Sequence, residues 1–152
     1  MNFNLENSGE STANRTNLAA LDLPIEPGTI CEGIALLVSK DMTAEAVEMA
    51  DLAVALFPQD PAILWMGSLM GQLVQDWKKA HDLLQQLKVI QGDEVELQTY
   101  QQLVRVLRCM EMEAEAIETI KVAMNRFPSD EALQSEYEFL IALNSKAEQP
   151  AS

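Results

Sequence analysis

Two stretches of this chain say nearly the same thing. LAVALFPQDPAIL (52–64) and VAMNRFPSDEALQ (122–134) each end an apolar helical run in Phe-Pro, pass a polar residue and an Asp, and open a second apolar run. Pro58 and Pro128 stand 70 positions apart, twice 35, so a third copy is expected between them. Repetition at this period constrains the fold more than any other feature. A unit of one or two short elements cannot bury its apolar face alone, so copies must stack, each covering its neighbour.

The unit is helical. Ala, Leu, Glu, Gln and Met are abundant while aromatics make up only 5% of the 152 residues, which favours helices over sheet. The 48% hydrophobic content suffices for one buried core. Apolar residues recur at helical spacing over seven segments, roughly 28–39, 43–56, 60–74, 77–90, 94–109, 113–126 and 130–146. Thr43 and either Ser129 or Asp130 are expected N-caps, and the short connections imply antiparallel hairpins. The domain organisation read from this is a tail and linker over 1–27, a helical repeat domain over 28–146 and a short tail over 147–152. Residues 1–17 carry too little apolar surface to offset the entropy of ordering. Leu18, Leu21, Leu23 and Ile25, broken by Pro24 and Pro27, read as a linker or a docking segment.

The best-marked copy has Tyr100, Leu103, Val104 and Leu107 on its first helix, Ala116, Ile120 and Ala123 on its second, and Pro128 to close. An earlier copy has Ile30, Gly33, Ile34 and Leu37, then Ala46, Ala50 and Ala53, then Pro58. This resembles the tetratricopeptide repeat, a helical hairpin of about 34 residues with small residues where its helices touch. The middle copy, 61–96, is two residues too long. It puts Gly67 and Ser68 where Leu and Gly are usual, Gly71 where an aromatic is usual, and Gly92 where Pro is usual. The resemblance implies an all-α solenoid of three hairpins closed by a capping helix, with Ala46, Ala53, Ala80, Ala116 and Ala123 at close contacts.

Composition excludes several functions. With 24 acidic residues against 10 basic, the net charge of −14 disfavours nucleic acid and anionic membrane surfaces. No apolar run is long enough to span a bilayer and no secretory signal is visible, so a cytoplasmic protein is expected. Cys31 and Cys109 are isolated and read as reduced packing residues; His81, the single histidine, reads as a surface residue. No phosphate loop, nucleophile motif or metal-ligand spacing appears, so neither an enzyme nor a cofactor is expected.

Binding remains. In tetratricopeptide stacks the first helices line a concave groove, and the resemblance assigns to it Cys31, Glu32, Ala35 and Val38, then Trp65, Met66, Leu69 and Leu73, then Gln101, Gln102, Arg105 and Arg108, with Ser135 and Phe139 from the cap. The first half is apolar and suits an amphipathic or hydrophobic protein segment; the second is polar to basic. In size, acidity and repeat number the chain is similar in plan to the small chaperones and co-chaperones of type III secretion, which hold an aggregation-prone subunit. The alternatives are an adaptor linking folded proteins, or a self-associating repeat protein, for example a homodimer.

Overall fold

The computed structural model describes residues 25–148, and no strand occurs among them. The expected tail at 1–17, the segment up to residue 24 and the end beyond 148 lie outside the described residues. Seven α-helices follow one another there: α1 (Pro27–Ser39), α2 (Thr43–Leu56), α3 (Pro61–Leu73), α4 (Trp77–Gln91), α5 (Leu97–Cys109), α6 (Glu113–Arg126) and α7 (Glu131–Ala147). The helix expected from residue 94 begins later, at Leu97, because Gly92–Glu94 forms a 3-10 turn and Val95 is buried. The two extra residues of the middle repeat are absorbed here. Gly92 sits at φ +58°, which a glycine adopts without steric penalty and a proline could not.

Of the four helices that begin a hairpin, α1, α3 and α7 open on proline or are capped by aspartate, and α5, behind Glu96, has neither. Asp60 accepts the backbone N–H of Ile63 at 3.0 Å, and Asp130 that of Leu133 at 2.8 Å, so Asp130 rather than Ser129 is the cap. Thr43 is not a cap. It already lies in the first turn of α2, behind Met42, which makes no side-chain cap bond.

The reason is that the turn inside each hairpin is closed by backbone. Asp41, Gln75 and Glu111 take the left-handed conformation at φ 59°, 61° and 59°. The next residue then donates its N–H five positions back: Met42 to Leu37 (2.9 Å), Asp76 to Gly71 (2.8 Å) and Met112 to Leu107 (2.9 Å). This 6→1 bond ends a helix and aims the chain into the next one. Three copies of one turn give three hairpins of one shape.

The core is a row of clusters, with no single centre. One joins Ile30 and Ile34 of α1 to Ala46, Ala50 and Ala53 of α2 and to Ile63 and Met70 of α3. The next joins Leu64 of α3 and Ala80, Leu84 and Leu87 of α4 to Leu103 and Val106 of α5. A third links Val104 and Leu107 of α5 and Ile120 of α6 to Leu140 of α7, and a fourth holds Tyr100 and Leu133, with Phe127 edge-on to Tyr100 at 6.4 Å. Every cluster straddles a hairpin and the helix that follows it, as a linear stack requires. All five alanines expected at close contacts are buried.

The middle hairpin is the tightest. A Cβ added at Gly71 would meet the backbone N of Ala80 at 3.2 Å and the carbonyl of Asp76 at 3.3 Å, while one at Gly67 would meet Val54 and Leu83 side chains at 3.0 Å. Ser68, fully buried beside them, donates its hydroxyl to the Trp65 carbonyl at 2.7 Å. What reads as degeneracy in the sequence is close backbone approach.

Candidate protein-binding face

The first helices stand side by side. The Cys31 thiol of α1 points at the carbonyl of Ala62 on α3, 3.7 Å away, and Arg108 of α5 pairs with Glu136 of α7. The residues assigned to this face divide into three groups. Cys31, Val38, Met66 and Leu69 are half-buried and pack against the first core cluster, with Ala35 and Glu32 exposed on α1. Trp65 leans on the second cluster and lines a separate hollow of about 190 Å³ with Pro61, Ala62, Gln91, Glu96 and Gln98. Leu73 stands about half exposed at the end of α3.

The third group is drawn together between α5 and α7. Gln101, Arg105 and Arg108 line a cleft of about 300 Å³ with Val104, Ala132, Leu133 and Glu136. A neighbouring hollow of about 380 Å³ shares the two arginines and adds Cys109, Leu140 and Leu143. Arg108 is held from two sides: Glu136 accepts from its guanidinium, which lies 5.1 Å from the centre of the Phe139 ring. Arg105 is exposed and joins none of the ion pairs among the described residues. Sequence reasoning missed Glu136 and Leu143. The signal was Phe139 itself, since Glu136 lies three residues before it and Leu143 four after, on one side of α7.

The two cysteines differ. Cys109 is exposed in the last turn of α5, contrary to the packing role expected of it, because with exposed Arg105 and Arg108 it lines the open hollow against α7. Cys31 is half-buried; burial and, behind it, the negative charge of Asp60 push its thiol above the usual range. Since the thiolate is the nucleophile, iodoacetamide at pH 8 should modify Cys109 well before Cys31, with mass spectrometry of early time points as the check. His81 is also less exposed than expected, tucked against Gln85 at 3.2 Å.

Two buried amide atoms, Nε2 of Gln72 and Oε1 of Gln102, have no hydrogen-bond partner among the described residues. Gln102 occupies on α5 the place that Met66 holds on α3. An unmet buried polar atom costs about 1–3 kcal/mol, so Gln102→Met should raise stability by about 1 kcal/mol, read as a higher urea midpoint.

Paired antiparallel helices, alanines at each crossing and first helices aligned on one face decide the architecture. The fold is the tetratricopeptide repeat. Among solved structures, the chain is similar to one described as MamA MSR-1 C2, with a TM-score of 0.68 at 16% identity over 80% of this chain and 68% of that one. It is similar to YrrB, described as a TPR protein with an unusual peptide-binding site, with a TM-score of 0.66 at 15% identity over 84% of this chain and 65% of that one. The Sgt2 TPR domain from Aspergillus fumigatus gives 0.66 at 16% identity, over 84% and 87% of the two chains. No family model and no curated protein matches the sequence. Within this tetratricopeptide stack, the aligned first helices form the candidate surface for a protein ligand.

Proposed function

We propose that the chain binds another protein through its first helices, as a chaperone or co-chaperone that holds an amphipathic or hydrophobic segment of an aggregation-prone subunit. The observation that carries this reading is the apolar surface left open on those helices, with Leu73 49% and Phe139 50% exposed and Leu143 beside the cleft. Cys31, Ala35, Val38, Trp65, Met66 and Leu69 extend it toward α1, and Gln101, Arg105 and Arg108 form its polar end. YrrB, a solved structure similar to this one, is described as having a peptide-binding site, which supports a segment as the ligand.

A client that self-assembles through an amphipathic helix is kept monomeric when that helix is covered, so the client class is a subunit of a cytoplasmic assembly pathway such as type III secretion. No helix among the described residues is long and apolar enough to cross a membrane. The test is co-purification of the tagged chain with its partner, identified by mass spectrometry. An apolar contact should survive about 0.5 M NaCl, where charges are screened within a few Å.

A second reading has one observation in its favour: exposed Arg105 lines the cleft between α5 and α7. An acidic partner segment there would be released by the same salt. A partner that binds through its folded surface and leaves the first helices free would instead make the chain an adaptor.

A further inference from the structure

The side of α1 that faces away from α3 is built to be covered. Four helices hold the first-helix place in the stack, and two positions on each can be compared: Thr29 and Leu36 on α1, Ile63 and Met70 on α3, Thr99 and Val106 on α5, Leu133 and Leu140 on α7. On α3, α5 and α7 every one of these is buried, because the preceding hairpin lies over it; Met70 is 7% exposed, Val106 and Leu140 0%. On α1 Thr29 is exposed and Leu36 is 55% exposed. Gly33 repeats the pattern. Its counterpart Gly67 is buried, with Leu83 and Val54 both waiting at 3.0 Å from a Cβ, whereas Gly33 is half-buried and would meet only Met49, at 3.3 Å, among the described residues. The counterpart of Val54, one repeat earlier, is residue 20, outside the described residues.

The sequence just before α1 supplies the piece. LAALDLPIEP (18–27) matches LAVALFPQDP (52–61) position by position, 34 residues earlier: the first Leu, the first Ala and both prolines are identical. Glu26 stands where Asp60 stands, and the backbone agrees, at φ −81°, ψ 137° for Glu26 and φ −82°, ψ 121° for Asp60. Pro27 opens α1 as Pro61 opens α3. The chain therefore enters α1 through the same junction by which α2 enters α3.

We propose that the open side of α1 is a docking surface whose occupant is the segment 18–23 of this chain, the sequence counterpart of the stretch 52–57 whose Ala53, Val54 and Phe57 join the first core cluster with α3. Phe57 packs on the first core cluster, and Val54 touches the site of Gly67. A second copy of the chain is a poorer occupant. Each copy carries a net charge of −14, whereas residues 18–24 bring one charge, Asp22, and arrive already tethered. Tethering through Ile25 and Glu26 gives a local concentration on the order of millimolar.

Hydrogen exchange on the full chain, followed by mass spectrometry, tests this without any substitution. Backbone amides of 18–23 should exchange at least about tenfold more slowly than those of 2–12, because docking on α1 would shield the first set alone. Leu23→Asp and Ala20→Asp should each abolish that protection and speed exchange in α1, while Leu5→Asp should change neither. Equal exchange across 2–23 would overturn the proposal. So would a sedimentation mass of two chains that Leu36→Asp halves while Leu23→Asp leaves exchange unaltered, since a second copy would then be the cover.

Discussion

Gly71→Leu should break the stack at its middle. The added side chain would start from a Cβ pressed against the backbone of Ala80 and Asp76, at 3.2 and 3.3 Å, and backbone at a helix start cannot swing aside as a side-chain end can. Overpacking a core typically costs about 1–3 kcal/mol, and more where neighbours cannot yield, so the expected loss is about 3 kcal/mol or more. That is a large part of the roughly 5–15 kcal/mol that holds a domain together. Urea denaturation followed by helical circular dichroism reads it directly. Ala116→Leu, at a crossing of the same kind but between α5 and α6, should lose about 1–3 kcal/mol. Gly28→Ala is the control: nothing lies within 4 Å of its Cβ, and alanine in a helix is favoured over glycine by up to about 1 kcal/mol, so this variant should be as stable or more so. Equal stability of Gly71→Leu and Gly28→Ala would show that α3 and α4 do not approach as closely as described.

Leu73→Asp and Phe139→Ala should remove partner binding while leaving the fold standing. Both side chains are about half exposed, so truncating them costs the folded state little, within about 1 kcal/mol. At an interface, losing an apolar anchor commonly costs about 2 kcal/mol or more, a drop of about thirtyfold in affinity. Phe139→Ala also takes away the ring beside Arg108 and should loosen its hold on that guanidinium. Trp65→Ala and Leu69→Asp are less clean, because both side chains also lean on core clusters and their loss should lower the melting temperature as well as the affinity. Titration calorimetry with the co-purified partner, beside thermal melts, separates the two effects. Full affinity in Leu73→Asp and Phe139→Ala with melting unchanged would move the ligand away from this face.

Much of the architecture could be read from the chain because the features that build it are local. Phe-Pro junctions, alanines at fixed offsets and apolar spacing of three and four set the helices and their pairing before any long-range contact is considered. What escaped were features decided by backbone or by distant neighbours. Thr43 has the chemistry of a cap, yet the turn before it is closed by the left-handed Asp41 and the Met42 N–H, so no side chain is needed. Gly67 and Gly71 look like a decayed repeat until α4 is placed against them. The candidate face was legible as a set of positions on first helices. How buried each one is depends on which cluster lies behind it, and that separates Leu73 and Phe139 from Met66 and Leu69. The ion pair of Arg108 with Glu136 spans two elements 28 residues apart, a pairing that sequence spacing alone does not announce.

Because the core is a row of clusters, each hairpin owes its order chiefly to the one beside it, and the ends should fray before the middle. A ligand lying across α1, α3 and α5 would touch three hairpins at once and act as a splint. Its binding would be felt furthest from where most of its contacts lie, as slower opening of the terminal helices. Length of the bound segment then becomes a variable in its own right: a peptide long enough to reach from α1 to α7 would lock the whole rod, and one that spans a single hairpin would leave both ends breathing.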